Sequence, residues 1–195
     1  MAGRALPLIA ALLGSTAACV PKQPMPIALQ DTWSDAERAR LLRDMQRWEE
    51  ATNHLVRFLP SPAPFHDATG EFERADLDDG VNVLYKIERP NADTDALMAA
   101  TGEQLLGYNF STDVLIFHYK VAFAFWSDSG EELDSVVLHE LGHHLGLGHN
   151  RLHPAVMNDL LTGEITCITR WDIEAFCQVY GCLPSDLHPE CADGP

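Results

Sequence analysis

Basic side chains are scarce in this chain. Its 195 residues include 13 Lys and Arg against 29 Asp and Glu, a formal net charge of −16. Because nucleic acids and anionic membrane surfaces attract positive charge, we expect neither as a partner. The chain also lacks internal repeats, and its length is typical of one domain, so no second domain is predicted.

Long apolar runs are lacking as well. The longest candidate, residues 114–126, is interrupted by His118 and Lys120, whereas a membrane-spanning helix needs about 20 consecutive apolar residues. This segment is therefore interpreted as a buried strand. A shorter apolar segment, residues 5–14, follows a basic start at the N-terminus, which is typical of a signal peptide.

Residues 1–18 are predicted to form a signal peptide of the bacterial lipoprotein type, because small residues lead directly to Cys19. On this interpretation Cys19 is lipidated, residues 19–26 form a tether, and residues 27–195 form the exported domain. We expect the protein in the bacterial cell envelope, with the lipid anchor as its sole contact with the membrane. The alternative is ordinary secretion after cleavage near Ala18, with an unmodified Cys19 thiol.

The other four cysteines, all near the C-terminus, contain no CxxC pair, which argues against a cysteine zinc site. An even number of cysteines in an exported chain indicates disulfides. A predicted helix between Cys167 and Cys182 would hold their Cα atoms about 15 Å apart, too far for a bridge. Cys177–Cys182 and Cys167–Cys191 are therefore favoured, and a shorter helix would leave the other pairings open.

The segment HELGHHLGLGH, residues 139–149, carries the chemistry. On a helix, His139 and His143 project from one face, as two ligands of one Zn²⁺ must. Glu140 adjoins the first ligand and can act on a water molecule without binding the metal. Gly146 permits a left-handed reversal that presents His149 as a third ligand. Three protein ligands leave one tetrahedral position open, which indicates a catalytic rather than a structural site. The alternative is a chance match, against which the glycine and the third histidine at fixed spacing argue.

These residues give the chain a resemblance to the metzincin zinc peptidases, whose motif HExxHxxGxxH precedes a methionine turn. Met157 stands eight residues after His149, a spacing similar to that of the matrixin branch. An ordinary core methionine is the alternative interpretation. Asp159 replaces the tyrosine ligand of astacin-like members and the usual proline of matrixins, and Asn150 replaces the usual matrixin serine.

The resemblance implies an α+β fold of the metzincin (zincin) type. In such a fold a mixed, twisted sheet lies with the zinc-binding helix and a C-terminal helix. Capping boxes predict helices beginning after Ser34 and after Thr169, the latter ending at Gly181. Alternation of apolar residues predicts strands at residues 27–29, 53–59, 81–88, 105–110 and 113–125, with a loop or single helical turn at residues 90–101.

By the same resemblance, the chain is expected to be a zinc-dependent endopeptidase in which Glu140 acts as general base and acid. An extended protein or peptide substrate would lie along an edge strand at residues 105–110, with residues 150–166 forming the pocket for its side chain. We expect a monomer. The rival functions are a zinc amide hydrolase acting on cell-wall peptides and a catalytically idle zinc-binding surface module.

One catalytic Zn²⁺ is the only cofactor that the sequence supports. Residues 65–80 are polar and acidic and end in DLDDG, which resembles a calcium loop weakly because the full ligand spacing and terminal glutamate are missing. A solvated turn is favoured there. Ca²⁺ binding is therefore possible but unsupported.

Overall fold

The computed structural model describes residues 24–62, 82–87, 91–101, 107–110, 113–117, 131–160 and 164–191. The predicted signal peptide, Cys19 and the acidic loop at residues 65–80 lie outside them. The helices are α1 (Asp35–Ala51), α2 (Ala92–Thr101), α3 (Glu131–His144) and α4 (Arg170–Tyr180), and the strands are β1 (Met25–Leu29), β2 (Phe58–Pro62), β3 (Val83–Ile87), β4 (Gly107–Phe110) and β5 (Asp113–Phe117). None of the described helices is both long enough and apolar enough to cross a membrane.

The strands form one mixed sheet in the order β2-β1-β3-β5-β4. β4 pairs antiparallel with β5, whereas the other neighbouring strands pair in parallel. Every residue of the central strand β3 is buried, as expected for a parallel strand covered on both faces. The buried Lys86 of β3 is neutralised by Glu37 at 2.9 Å. The predicted mixed sheet is confirmed, and β4 lies at its edge as the sequence indicated.

Helix α1 joins the sheet to α3. It begins at a complete capping box, in which Ser34 and Glu37 bond to each other's backbone N–H groups. Its apolar side is buried at Leu41, Met45 and Trp48. The indole N–H of Trp48 donates to the carbonyl of Leu138 at 3.0 Å. This bond fixes α1 against α3.

The strand predicted at residues 53–59 is wrong in its bounds, since β2 begins only at Phe58. Asn53 and His54 have φ values of 49° and 58°, so the chain reverses there instead of extending. Pro60 lies inside β2, and Pro62 is its last residue. This is tolerated because β2 is an edge strand, where a missing N–H donor leaves no partner unsatisfied.

Two further boundaries differ from those predicted. The segment predicted as a loop or one turn forms the ten-residue helix α2, begun by Asn91, whose side chain accepts from the N–H of Asp93 at 3.1 Å. β1 begins at Met25, inside the predicted tether. Parallel pairing with β2 starts at Met25, so tertiary contacts rather than local propensity set this limit. Residues 111–112, between the predicted strands at 105–110 and 113–125, lie outside the described residues.

The C-terminal region confirms one of the two predicted disulfides. Cys167 and Cys191 are bridged with Cα atoms 6.2 Å apart. Cys177 and Cys182 are buried and are not joined by a disulfide, so the second predicted bridge is wrong. Both side chains belong to the hydrophobic core, where cysteine packs as a small apolar residue.

Candidate metal centre

The metal-binding motif begins on α3, whose apolar side is buried. Leu138 and Leu141 are fully buried and Leu145 is 2% exposed, which holds the helix firmly in the core. His139 and His143 are one helical turn apart and therefore share a face. The packing of α3 thus fixes two of the three candidate ligands.

The chain reverses directly after α3. Gly146 has a φ of +86°, a left-handed conformation that glycine adopts without a Cβ penalty. The Gly146 N–H donates to His143 O at 2.8 Å, and the Leu147 N–H donates to Gly142 O at 3.0 Å. These two bonds form a Schellman motif. The predicted helix reversal is therefore present, and it returns the chain towards the two histidines.

The three histidines of the motif converge. The Nε2 atom of His143 lies 3.1 Å from that of His139 and 3.0 Å from that of His149. They are the sole group of three or more potential metal ligands among the described residues. A tetrahedral zinc ion with Zn–N bonds of about 2.05 Å separates its ligand nitrogens by about 3.3 Å. The observed separations therefore fit a zinc ion.

The other ring nitrogens are held by acceptors. Nδ1 of His139 lies 2.7 Å from Val156 O, and Nδ1 of His143 lies 2.8 Å from Leu147 O. Since a carbonyl oxygen only accepts, each Nδ1 carries the hydrogen and each Nε2 a lone pair. Burial lowers the pKa of His139 to about 4 and also lowers that of His143, so both rings are neutral at pH 7. Facing lone pairs repel one another, and a bound cation removes that repulsion.

Glu140 follows the first candidate ligand, His139, in the sequence and is buried. It is 4% exposed, and its Oε2 atom has no hydrogen-bond partner among the described residues. Burial raises the pKa of Glu140 to about 8. A divalent cation at the histidines would favour the ionised carboxylate and oppose that shift. Glu140 therefore has the environment of a group that exchanges a proton near neutral pH.

Met157 packs directly against α3. It is fully buried, and a Cβ atom built on Gly142 would lie 2.2 Å from its Sδ and 3.2 Å from Cζ2 of Trp48. The thioether therefore occupies the space that the missing side chain of Gly142 leaves. This contact fits a methionine turn beneath the helix, and the burial alone would also fit an ordinary core methionine.

Asp172 connects α4 to the turn that contains Met157. Its buried carboxylate accepts from the backbone N–H groups of Val156 and Met157 at 3.1 and 3.0 Å. It also accepts from the N–H and hydroxyl of Thr169 at 2.8 and 2.9 Å. The capping box was predicted from the sequence, but the bonds to the methionine turn were not. They link two segments that no local pattern relates.

Asp159 also contacts the site, although the sequence showed it only as a departure from relatives. Its Oδ2 lies 3.4 Å from Nδ1 of His149. Arg151 Nε donates to both carboxylate oxygens of Asp159, at 2.8 and 3.0 Å. The hydrogen bond from Arg151 holds the pKa of Asp159 down at about 2. A basic residue and an acidic residue shortly after the third histidine, Arg151 and Asp159, would have been the signal to seek.

Three further side chains lie outside the group of converging histidines. The Tyr180 hydroxyl donates to the carbonyl of Leu145 at 3.0 Å, which satisfies an acceptor at the end of α3. His153 stacks on Trp171 with ring centroids 3.5 Å apart and is not one of the three converging histidines. His144 is half-buried, and its Nδ1 has no hydrogen-bond partner in the part of the chain that the structure describes.

This fold and its three convergent histidines define a zinc peptidase of the metzincin type. The family model described as Matrixin matches residues 30–181, and the chain belongs to the matrixin family. Among solved structures it is similar to archaemetzincin from Methanopyrus kandleri, with 21% sequence identity and a TM-score of 0.40, over 72% of this chain and 85% of that one. No curated protein matches the sequence.

Proposed function

We propose that this protein is a zinc-dependent metalloendopeptidase in which His139, His143 and His149 hold one catalytic Zn²⁺. The convergence of the three Nε2 atoms within 4.8 Å of one another carries this proposal. Membership of the matrixin family supports it, because matrixins are zinc peptidases. The open coordination position that three protein ligands leave is typical of catalytic rather than structural zinc.

The bound ion would supply Lewis-acid polarisation of the scissile carbonyl and acidification of the attacking water. Glu140 takes the proton from that water as general base and delivers it to the leaving amine as general acid. Its buried, unpartnered Oε2 supports this assignment, because no hydrogen bond within the described protein has to be broken first. Gly146 and Met157 position the ligands, one by reversing the chain and the other by packing beneath α3.

The edge strand β4 is the proposed binding surface for an extended substrate. It pairs on one side with β5 and ends the described strand order, which leaves its other edge for main-chain hydrogen bonds to a peptide. Residues 150–166 are proposed to contact the substrate side chain after the cleaved bond. The substrate class is therefore protein or peptide in extended conformation.

Export and lipidation form a separate part of the proposal. The N-terminal sequence supports removal of residues 1–18 and acylation of Cys19, which would anchor the enzyme to the bacterial cell envelope. Mass spectrometry of the natively expressed protein should find a lipid-modified Cys19 at the N-terminus. An unmodified thiol would contradict lipidation and favour secretion.

The enzymatic proposal is tested by zinc content and casein cleavage measured on the purified full chain. We expect one zinc per chain, cleavage of casein, and loss of cleavage on chelation. Glu140→Gln should keep its zinc and lose more than the 10²–10⁴-fold typical of general acid–base catalysis alone. Glu50→Gln, at an exposed position of α1, is the matched control and should cleave normally.

The same measurements separate the rival functions. A chain that binds zinc but leaves casein intact, while cleaving cell-wall peptides, would be an amide hydrolase instead. A chain that binds zinc and cleaves neither would be an idle binding module. Absence of zinc, with no activity recovered on adding it, contradicts the metal centre itself.

A further inference from the structure

We infer that Asp159 is a positioning residue for the third histidine, with Arg151 fixing its carboxylate. In this arrangement the Asp159 carboxylate lies 3.4 Å from Nδ1 of His149 and favours the ring orientation that aims Nε2 at the metal. The inference rests on the proposed zinc site and adds to it a determinant of metal affinity outside the motif. A carboxylate behind a ligating histidine orients the ring and raises its basicity.

The third histidine needs such support more than the first two. Nδ1 of His139 and of His143 lies against a backbone carbonyl at 2.7 and 2.8 Å. His149 lies after the end of α3, and its side chain is 44% exposed. The group that faces its Nδ1 atom is a side chain, the Asp159 carboxylate, at 3.4 Å. Asp159 thus takes the place of the carbonyl acceptors of the other two rings.

Asp159 is itself held in place. Both of its oxygens accept from Arg151 Nε, at 2.8 and 3.0 Å, and Oδ2 also accepts from Arg151 Nη2. Such a forked contact fixes the plane of the carboxylate as well as its position. The side chain of Asp159 is 16% exposed and that of Arg151 is 58% exposed, so solvent reaches the pair from the arginine side.

The loop between His149 and Asp159 folds back so that these two side chains come into contact. The N–H of Asn150 donates to Met157 O at 2.7 Å, and the side-chain amide of Asn158 donates to His153 O at 2.8 Å. These bonds return residue 159 to the side of residue 149. The contact is therefore built into the loop that carries the methionine turn.

Asp159 acts on the ring and not on the metal. Its carboxylate contacts Nδ1, whereas the ligand atoms converge at Nε2, on the other side of the imidazole. No oxygen of Asp159 belongs to the group of potential ligands that converge within 4.8 Å. Asp159 is therefore placed neither as a metal ligand nor as the general base.

The test is the zinc dissociation constant, measured on the full chain by competition with a chromophoric chelator. Asp159→Asn should weaken zinc binding about 10–100-fold, the usual loss when a partner of a metal-bound histidine is removed. It should also shift the visible absorption of the Co²⁺-substituted protein, which reports the geometry of the ligands. Circular dichroism of the metal-free variant should show that it stays folded, so that a fall in zinc affinity reports on the metal site.

Glu174→Gln is the matched control. Glu174 lines the same groove as His149, and this substitution removes one negative charge, as Asp159→Asn does. It should leave both zinc affinity and the Co²⁺ spectrum unchanged. Should Asp159→Asn fail to fold, Arg151→Gln serves in its place: its side chain is 58% exposed, and releasing Asp159 should weaken zinc binding in the same direction.

The outcomes separate this inference from the proposed function. Wild-type protein that binds no zinc contradicts the zinc site as a whole. Wild-type protein that binds zinc, with a folded Asp159→Asn of equal affinity and an unchanged Co²⁺ spectrum, overturns the role of Asp159 alone. An equal loss in Glu174→Gln would also overturn it, since general charge would then explain the effect.

Discussion

Replacing Gly142 with alanine tests the packing of the methionine turn against the zinc-binding helix. The added Cβ would lie 2.2 Å from Sδ of Met157 and 3.2 Å from Cζ2 of Trp48. Inserting a methyl group into a packed core costs about 1–3 kcal/mol, whereas alanine is favoured over glycine inside a helix by about 0.8–1.0 kcal/mol. Because both neighbours are fully buried, we expect the clash to prevail and the free energy of unfolding to fall by about 1 kcal/mol.

Chemical denaturation of the metal-free protein measures this change, and Gly148→Ala is its control. A Cβ on Gly148 meets nothing within 4 Å, so that variant should stay within about 0.5 kcal/mol of the wild type. The double variant Gly142→Ala, Met157→Ala should be more stable than the sum of its single changes by about 0.5–3 kcal/mol. A stabilised Gly142→Ala variant, or strictly additive changes, would refute the packing argument.

Three further changes test other parts of the structure by denaturation. Asp172→Ala leaves buried N–H donors of the methionine turn without an acceptor and should lower the free energy of unfolding by about 3 kcal/mol; a loss near zero would contradict the link from α4. Burial, then repulsion from Asp134, raises the pKa of Asp44 to about 8, so folding binds a proton and this residue's contribution to stability falls as pH rises from about 4 to 8. The free energy of unfolding of Asp44→Asn should therefore rise relative to that of the wild type by about 1 kcal/mol per pH unit between pH 5 and 7. A difference that does not change with pH would contradict this. Reducing the Cys167–Cys191 bridge, which spans 24 residues, should destabilise the protein by about 3 kcal/mol, with Cys191→Ala insensitive to reductant.

Local chemistry carried the prediction of the metal centre. The spacing of His139 and His143 requires only that the segment be helical, and Gly146 requires only that it end there. The capping boxes at Ser34 and Thr169 are likewise complete within four residues of sequence. Features of this kind are predictable because each is determined by neighbours in the chain.

The features that the sequence did not predict depend on distant partners. Asp172 was recognised as a cap, but its bonds to Val156 and Met157 require α4 to dock beneath the turn. Asp159 meets His149 only because the intervening loop closes. The start of β2 was predicted five residues too early, because His54 adopts a left-handed conformation that the sequence pattern did not indicate. Tertiary contacts decide each of these cases, so local propensity could not.

We propose that three histidines, and no sulfur ligand, hold one zinc ion. X-ray absorption at the zinc edge of the purified full chain tests it most directly, since nitrogen and sulfur scatter at different distances. We predict three imidazole ligands at about 2.0–2.1 Å and one further oxygen or nitrogen, with no shell near the 2.3 Å typical of zinc–sulfur bonds. A sulfur shell, or zinc that keeps the same spectrum in a His149→Ala variant, would contradict the account.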